Sequence, residues 1–425
     1  MILEMHGRRN CAACLTPVYK DYERNDRNKG ETIMAKIAIM GHGTLGSGLA
    51  EVARVNRESI ASKLGEEVEV KYILDIREFP DSPYADRFVK DFSVIENDPE
   101  VEVVVETIGG TKVAQEFTRR ALLAGKHVVT ANKELVATYG KDLLAIAAEK
   151  NVNYLFEASV GGAIPLLRPL FQCMAGNQIE EIAGILNGTT NYILTRMVQD
   201  GASFADALKE AQAKGYAEAD PTADVEGIDA GRKICILSNL AWGKEVAPAN
   251  VRMVGISALD LKDVDIAASA GYRVKLLGHA MRMADGKVAA YVAPHLVPES
   301  SPLSTVDDVF NACLIRGNAA DEVMFYGRGA GKPTASALMG DIIDAIQHRE
   351  KRRDLGWSES ADLFPSEELV MQWYLRGDFS AADATGVCGE VKEAAPGAVI
   401  TAPMTEAQAK AAAEKLGAAA VLRVL

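Results

Sequence analysis

The stretch Lys36-Ile-Ala-Ile-Met40-Gly41-His-Gly43-Thr-Leu-Gly46 decides the fold. An apolar run ends in a GxGxxG turn, and an amphipathic segment follows through about Leu64, which reads as strand, glycine turn and helix. In such a turn Gly41 permits the tight bend, Gly43 lets the backbone approach a pyrophosphate, and Gly46 lets the helix pack closely on the strand. Thr44 and Leu45 belong to the same cofactor-binding candidate, because amides at a helix N-terminus present the positive end of its dipole to phosphates. The next strand, 68–74, ends in Asp75, where a carboxylate accepts hydrogen bonds from the adenosine ribose of NAD. Arg77 suits the 2′-phosphate of NADP instead, so this turn leaves both cofactors open. The gap from Gly46 to Asp75 exceeds the usual spacing of about 20 and predicts a lengthened helix or loop.

Further strand candidates at 101–106, 126–130 and 153–157 alternate with helices, which predicts an α/β class built on a Rossmann-type doubly wound parallel sheet. Ligands of such sheets sit at the carboxyl ends of the strands, and Thr107 and Lys133 both lie on that edge. A glycine cluster at 326–337 precedes another helix and is placed to bring amides back to the nucleotide. Gly331 of that cluster and Gly215 join the cofactor-binding candidates.

Residues 215–233 hold the chemistry. Glu218, Asp220, Asp224, Glu226 and Asp229 surround Lys233 near the start of an apolar helix. Helical spacing puts Val225, Asp229, Lys233, Ile236 or Leu237, and Leu240 on one stripe, so a charged pair interrupts a face built for burial. A desolvated pair of this kind must be compensated, unlike an ordinary i, i+4 ion pair on a solvated helix side. A lysine so placed can pass a proton to an oxygen on which negative charge develops. A second ammonium nearby and burial both lower the pKa of the first. Asp224 is expected to cap the helix.

The chain has 425 residues, 48% of them hydrophobic, enough for two or three domains with buried cores. A net charge of −13 argues against nonspecific nucleic-acid or anionic-membrane partners, and no apolar run is long enough to span a bilayer. Six scattered cysteines form no disulfide framework, and the single CxxC at Cys11 and Cys14 has no second pair. The cytoplasm is the expected compartment. Residues 1–33 are polar and without periodicity, so Met34 is the expected start and the preceding segment is expected to be disordered or a mis-called start.

From about Met34 to His348 the chain resembles homoserine dehydrogenases. The motifs GHGTLGSG (41–48), VVETIGG (104–110), TANKELVA (130–137), FEASVGGAIP (156–165), GILNGTTNYIL (184–194), the 215–233 stretch and YGRGAGKPTASA (326–337) fall in that family's order. The resemblance implies NAD(P)-linked interconversion of L-homoserine and L-aspartate 4-semialdehyde, with threonine and methionine as pathway products. It implies that Lys233 moves the proton, that Lys133 sits beside it over the nicotinamide, and that Glu218 and Asp229 hold the substrate, with Asp224 in support. It further implies a monovalent cation, sodium or potassium, on backbone carbonyls at Glu157, Val160, Gly162 and Ile164. Dimers are usual among such relatives, and a homodimer or homotetramer is expected. Another NAD(P)-dependent amino-acid or semialdehyde dehydrogenase on the same scaffold is the near alternative, and a non-catalytic nucleotide sensor the distant one. Paired lysines with acids favour an enzyme, since a sensor needs no proton donors.

The expected division is a nucleotide-binding domain at 34–160, an α+β catalytic and dimerisation domain at 161–348 whose end returns to the first, a linker at 349–366, and a small α+β domain at 367–425. The last resembles a regulatory ACT domain shortened by about one strand, which predicts weak or absent feedback inhibition by threonine.

Overall fold

Met34–Met40 form β1, whose residues after the first two are almost continuously buried, as a strand covered on both faces must be. Around it, in this computed structural model describing residues 34–357 and 359–425, a six-stranded parallel sheet is laid out. Its strands are β1, β2 (Glu67–Leu74), β3 (Phe88–Val89), β4 (Val101–Glu106), β5 (His127–Thr130) and β6 (Tyr154–Leu155), in the order β3-β2-β1-β4-β5-β6. That order reverses direction between β1 and β4, which opens a crevice at the carboxyl edge. Helices α1 (Thr44–Val55) and α2 (Arg57–Leu64), the short α3 (Ser93–Glu96), α4 (Lys112–Leu123) and α5 (Lys133–Lys150) connect the strands. The expected lengthening before Asp75 is real: α1 ends at Val55, capped by Asn56, and α2 adds a second helix. The expectations placed on residues 1–33, including Cys11 and Cys14, lie outside the described residues.

A second sheet begins with β7 (Ile179–Ile185), after which come α6 (Gly188–Asp200), α7 (Phe204–Ala213), α8 (Thr222–Val225) and α9 (Ile228–Trp242). The chain continues through β8 (Lys244–Glu245), β9 (Arg252–Met253), α10 (Leu261–Ser269), β10 (Tyr272–Arg282), β11 (Val288–Pro298), β12 (Phe310–Gly317) and β13 (Asp321–Arg328) to α11 (Thr334–Gln347). β8 stands apart, pairing with β14 (Glu359–Ser360). The eleven-residue strands β10 and β11 pair antiparallel along their whole length. Helix α9 packs across β7, β10 and β11 and against α5. Its close seat depends on Gly278, where an added Cβ would stand 2.9 Å from Leu186 Cδ1 and 3.2 Å from Ile234 Cβ. α11 returns to the nucleotide sheet, with Ala335 Cβ 3.5 Å from where a Cβ on Gly48 of α1 would lie.

The final elements are β15 (Trp373–Arg376), α12 (Ala381–Cys388), β16 (Val391–Ala395), β17 (Ala398–Thr401), α13 (Glu406–Leu416) and β18 (Ala420–Val424). This is a complete βαββαβ unit, so the expectation of a missing strand is overturned. The hidden strand is β16, whose Val-Lys-Glu-Ala-Ala sequence carries little strand preference and whose place at the sheet edge leaves it largely outward-facing. The unit does not stand alone. β18 runs parallel to β11, pairing Arg423 with His295 and Val424 with Leu296, and makes one sheet ordered β13-β12-β7-β10-β11-β18-β15-β17-β16. The segment expected as a linker is likewise fixed: Trp357 is buried, with Cζ2 2.6 Å from where a Cβ on Gly140 would lie. Among the described residues no helix is long and apolar enough to cross a membrane.

Candidate active site

The glycine turn leaves no room for side chains at its two ends. Gly41 has φ +97°, and a Cβ on Gly46 would fall 1.9 Å from the Gly41 carbonyl oxygen. At Gly43, the N-cap of α1, added Cβ space is open and no side chain caps the helix, so the amides of Thr44, Leu45 and Gly46 are left for a ligand. This cradle fits a dinucleotide pyrophosphate. Thr107 braces it rather than facing outward: its hydroxyl donates to the carbonyls of Met40 at 2.9 Å and Gly41 at 3.1 Å. Asp75, at the end of β2, accepts from the His42 amide at 2.8 Å and pairs with Arg77 at 2.9 Å. The Arg77 guanidinium, outweighing burial, holds the Asp75 carboxyl well below its usual range. Ile76 and Ile108, large apolar side chains left exposed beside the ends of β2 and β4, suit the flat faces of an adenine.

At the edge of β4 and β5, Glu106 is fully buried and accepts from the Thr130 hydroxyl at 2.6 Å and the Ile108 amide at 2.8 Å. Burial pushes its pKa up, against those hydrogen bonds. Thr130 in turn accepts from the Asn132 amide, and Asn132 caps α5 by accepting from Leu135 N. Lys133 is thereby fixed as the first residue of α5.

Lys133 and Lys233, distant in the chain, meet on one carboxylate. Lys133 Nζ lies 2.7 Å from Asp229 Oδ1, and Lys233 Nζ lies 2.8 Å from Asp229 Oδ2. Lys233 also donates to the Leu186 carbonyl at 2.7 Å. Asn187, which caps α6 with its side-chain oxygen, uses its amide nitrogen to bridge Asp224 Oδ1 at 2.7 Å and Asp229 Oδ2 at 2.8 Å. Burial lowers the pKa of Lys233, and Lys133 adds to the effect against the pull of Asp229. For Lys133 burial is outweighed by Asp229, and the pKa rises. Burial would raise Asp229, but the two ammoniums hold it below its usual range, whereas Asp224 is raised by burial and by the neighbouring Asp229 charge.

One expectation needs correction. Asp224 does not cap α9: it lies within α8, while the N-cap of α9 is Gly227, and its carboxylate instead joins the cluster through Asn187. Glu218 is not brought to the lysines. It is exposed in the loop after α7, and only its backbone carbonyl is engaged, by Gln212 Nε2 at 3.1 Å. Neighbourhood in sequence does not survive the turn between α7 and α8. Gly215, with φ +72°, lies in that same exposed loop, and no hydrogen bond ties it to the glycine turn. Gly331, with φ +82°, precedes α11, and its neighbour Lys332 reaches Glu51 of α1 at 3.8 Å. Asn187 lay inside a quoted motif but carried no role; an asparagine ahead of a helix was its signal.

The Glu157 side chain is turned to the amides of Leu166, Leu167 and Arg168, at 2.6, 2.8 and 2.6 Å, and its carbonyl accepts from the Val160 amide at 3.4 Å. The carbonyls of Val160, Gly162 and Ile164 accept no backbone hydrogen bond among the described residues. Among those residues no cluster of His, Cys, Asp or Glu is built to hold a metal ion.

The sequence model of the homoserine dehydrogenase NAD-binding domain matches residues 41–157, and that of the homoserine dehydrogenase family matches 165–343. The chain is 42% identical over 367 residues to homoserine dehydrogenase of Neisseria gonorrhoeae, covering 84% of each. It is 40% identical to that of Bacillus subtilis, over 79% of this chain and 78% of the relative. Among solved structures, a homoserine dehydrogenase from Thiobacillus denitrificans superposes with a TM-score of 0.83 at 35% identity, covering 92% of this chain and 98% of that one. A hyperthermophilic archaeal homoserine dehydrogenase in complex with NADPH gives a TM-score of 0.63 at 28% identity, covering 76% and 100%.

Proposed function

The chain belongs to the homoserine dehydrogenase family, an NAD(P)-dependent oxidoreductase interconverting L-homoserine and L-aspartate 4-semialdehyde, and we propose that the lysines gathered on Asp229 carry its chemistry. A nicotinamide held at the carboxyl edge of the first sheet would supply the hydride acceptor or donor for the carbinol or aldehyde carbon. Lys233 Nζ handles the accompanying proton. Of its three N–H donors, Leu186 O and Asp229 Oδ2 take two, and the third is free for the substrate oxygen. As the neutral amine it accepts the hydroxyl proton during oxidation; as the ammonium it returns it during reduction. Asp229 balances both lysines, and Lys133 keeps the Lys233 pKa low while reaching the nicotinamide side. Asp224, tethered by Asn187, receives the substrate ammonium.

The same reading puts the pyrophosphate on the amides of Thr44, Leu45 and Gly46 and the adenosine at Asp75 and Arg77. It puts sodium or potassium on the carbonyls of Glu157, Val160, Gly162 and Ile164, supported by the open acceptors of the last three. It divides the chain at 34–160, 161–348 and 367–425, and takes the enzyme to work in the cytoplasm as a homodimer or homotetramer. The observation that carries the proposal is the meeting of two ammoniums on one buried carboxylate. The test is an assay of the purified protein with homoserine and a panel of hydroxy and amino acids, with NAD and NADP. Homoserine is expected to be oxidised far faster than the others; no turnover with it, or a stronger rival, would overturn the reading.

A further inference from the structure

Asp75 stands where a ribose-binding carboxylate is expected, yet its acceptor capacity is filled. Oδ2 takes the His42 amide at 2.8 Å and Arg77 Nη2 at 2.9 Å, and Oδ1 takes the Arg77 amide at 2.9 Å and Arg77 Nε at 3.0 Å. A carboxylate offers about four lone-pair sites, so none is left for the ribose hydroxyls. Two of the four donors are backbone amides fixed by the end of β2 and the glycine turn. The other two belong to a single guanidinium whose side chain is 59% exposed.

That guanidinium engages Asp75 through its Nε and Nη2 edge. Because the group is planar, its Nη1 and Nη2 edge turns away from the carboxylate and keeps two parallel N–H donors, the fork that matches a phosphate. Its plane is further set by the Phe79 ring, 5.1 Å away, which stacks on Phe88 at 5.1 Å. We propose that Arg77, oriented by Asp75 and Phe79, makes this enzyme prefer NADP(H). It presents its open edge to the 2′-phosphate and at the same time occupies the carboxylate that an unphosphorylated ribose needs. Asp75 is then a positioning residue for Arg77, and NAD(H) binds only by displacing the guanidinium.

The inference rests on the reading of this chain as an NAD(P)-dependent homoserine dehydrogenase, and its test separates the two. NADPH and NADH are titrated, by nucleotide fluorescence and without substrate, into the wild type and Arg77→Ala, and homoserine oxidation is measured with both oxidised cofactors. The wild type is expected to bind NADPH the tighter. In Arg77→Ala, NADPH affinity is expected to fall at least about 30-fold with loss of a bidentate charged contact. NADH affinity is expected to rise about threefold, since two acceptor sites on Asp75 reopen. A wild type that prefers NADH, unchanged NADPH affinity, or NADH affinity that fails to rise overturns the proposal. Nucleotide binding as expected with no homoserine oxidation removes the enzymatic reading alone; oxidation by an Arg77→Ala variant that keeps the wild type's NADPH affinity removes this proposal alone.

Discussion

Lys233 occupies a position where two of its donors are fixed and its charge is disfavoured by burial. Lys233→Ala is therefore expected to lower turnover at least about 100-fold while NADPH binding is largely kept, as steady-state kinetics and a fluorescence titration would establish. Homoserine oxidation needs the neutral amine, so its rate is expected to rise with pH through a pKa below the ordinary 10.5. Lys133 is one of the influences lowering that pKa, so Lys133→Met is expected to move the rising limb of the kcat/KM profile to higher pH; an unmoved or lower limb would contradict the coupling. The Asp229 and Lys233 pair was legible because helical spacing set two charges into an apolar stripe. Glu218 shares the acidic stretch but not the helix, and the loop after α7 leaves its side chain exposed. Nothing in the spacing marks Leu186, whose contribution is a backbone carbonyl.

At the scale of elements, the junction of β1 and α1 is the least forgiving. A methyl at residue 46 would meet the Gly41 carbonyl oxygen at 1.9 Å, and backbone cannot rotate away as a side chain can. Gly46→Ala is expected to cost about 1–3 kcal/mol of stability and to weaken NADH and NADPH alike by about tenfold or more. Thermal unfolding and the same titration would check it, and a variant that discriminates between the cofactors would show that the strain falls elsewhere. This junction could be read because its glycines do work that no other residue does. β16 could not be read, since Val391–Ala395 form a strand through pairing with β17 rather than through local preference.

Across the whole molecule, the C-terminal unit is an extension of the catalytic sheet. Its last strand covers the edge of β11, and Arg423 is buried, pairing with Glu406 at 2.7 Å and lying 4.2 Å from the centre of the Tyr291 ring. Removing residues 367–425 would uncover that edge and leave Tyr291 without its cover. The truncated protein is expected to aggregate or unfold well below the full chain's melting temperature, by size-exclusion chromatography and thermal unfolding. A monodisperse, fully active truncation would refute this. Such long-range pairing is invisible to periodicity, which is why the tail read as a separate body.

The indole of Trp357 has a further consequence. It is wedged into the notch left by Gly140 midway along α5, the helix that begins with Lys133, and its ring centre lies 5.7 Å from that of Phe156. One of the amines of the proposed reaction centre is thus steadied by an aromatic peg supplied from far downstream. Emission from that indole should redden if the peg is drawn, giving an optical gauge of how firmly the helix behind Lys133 is seated.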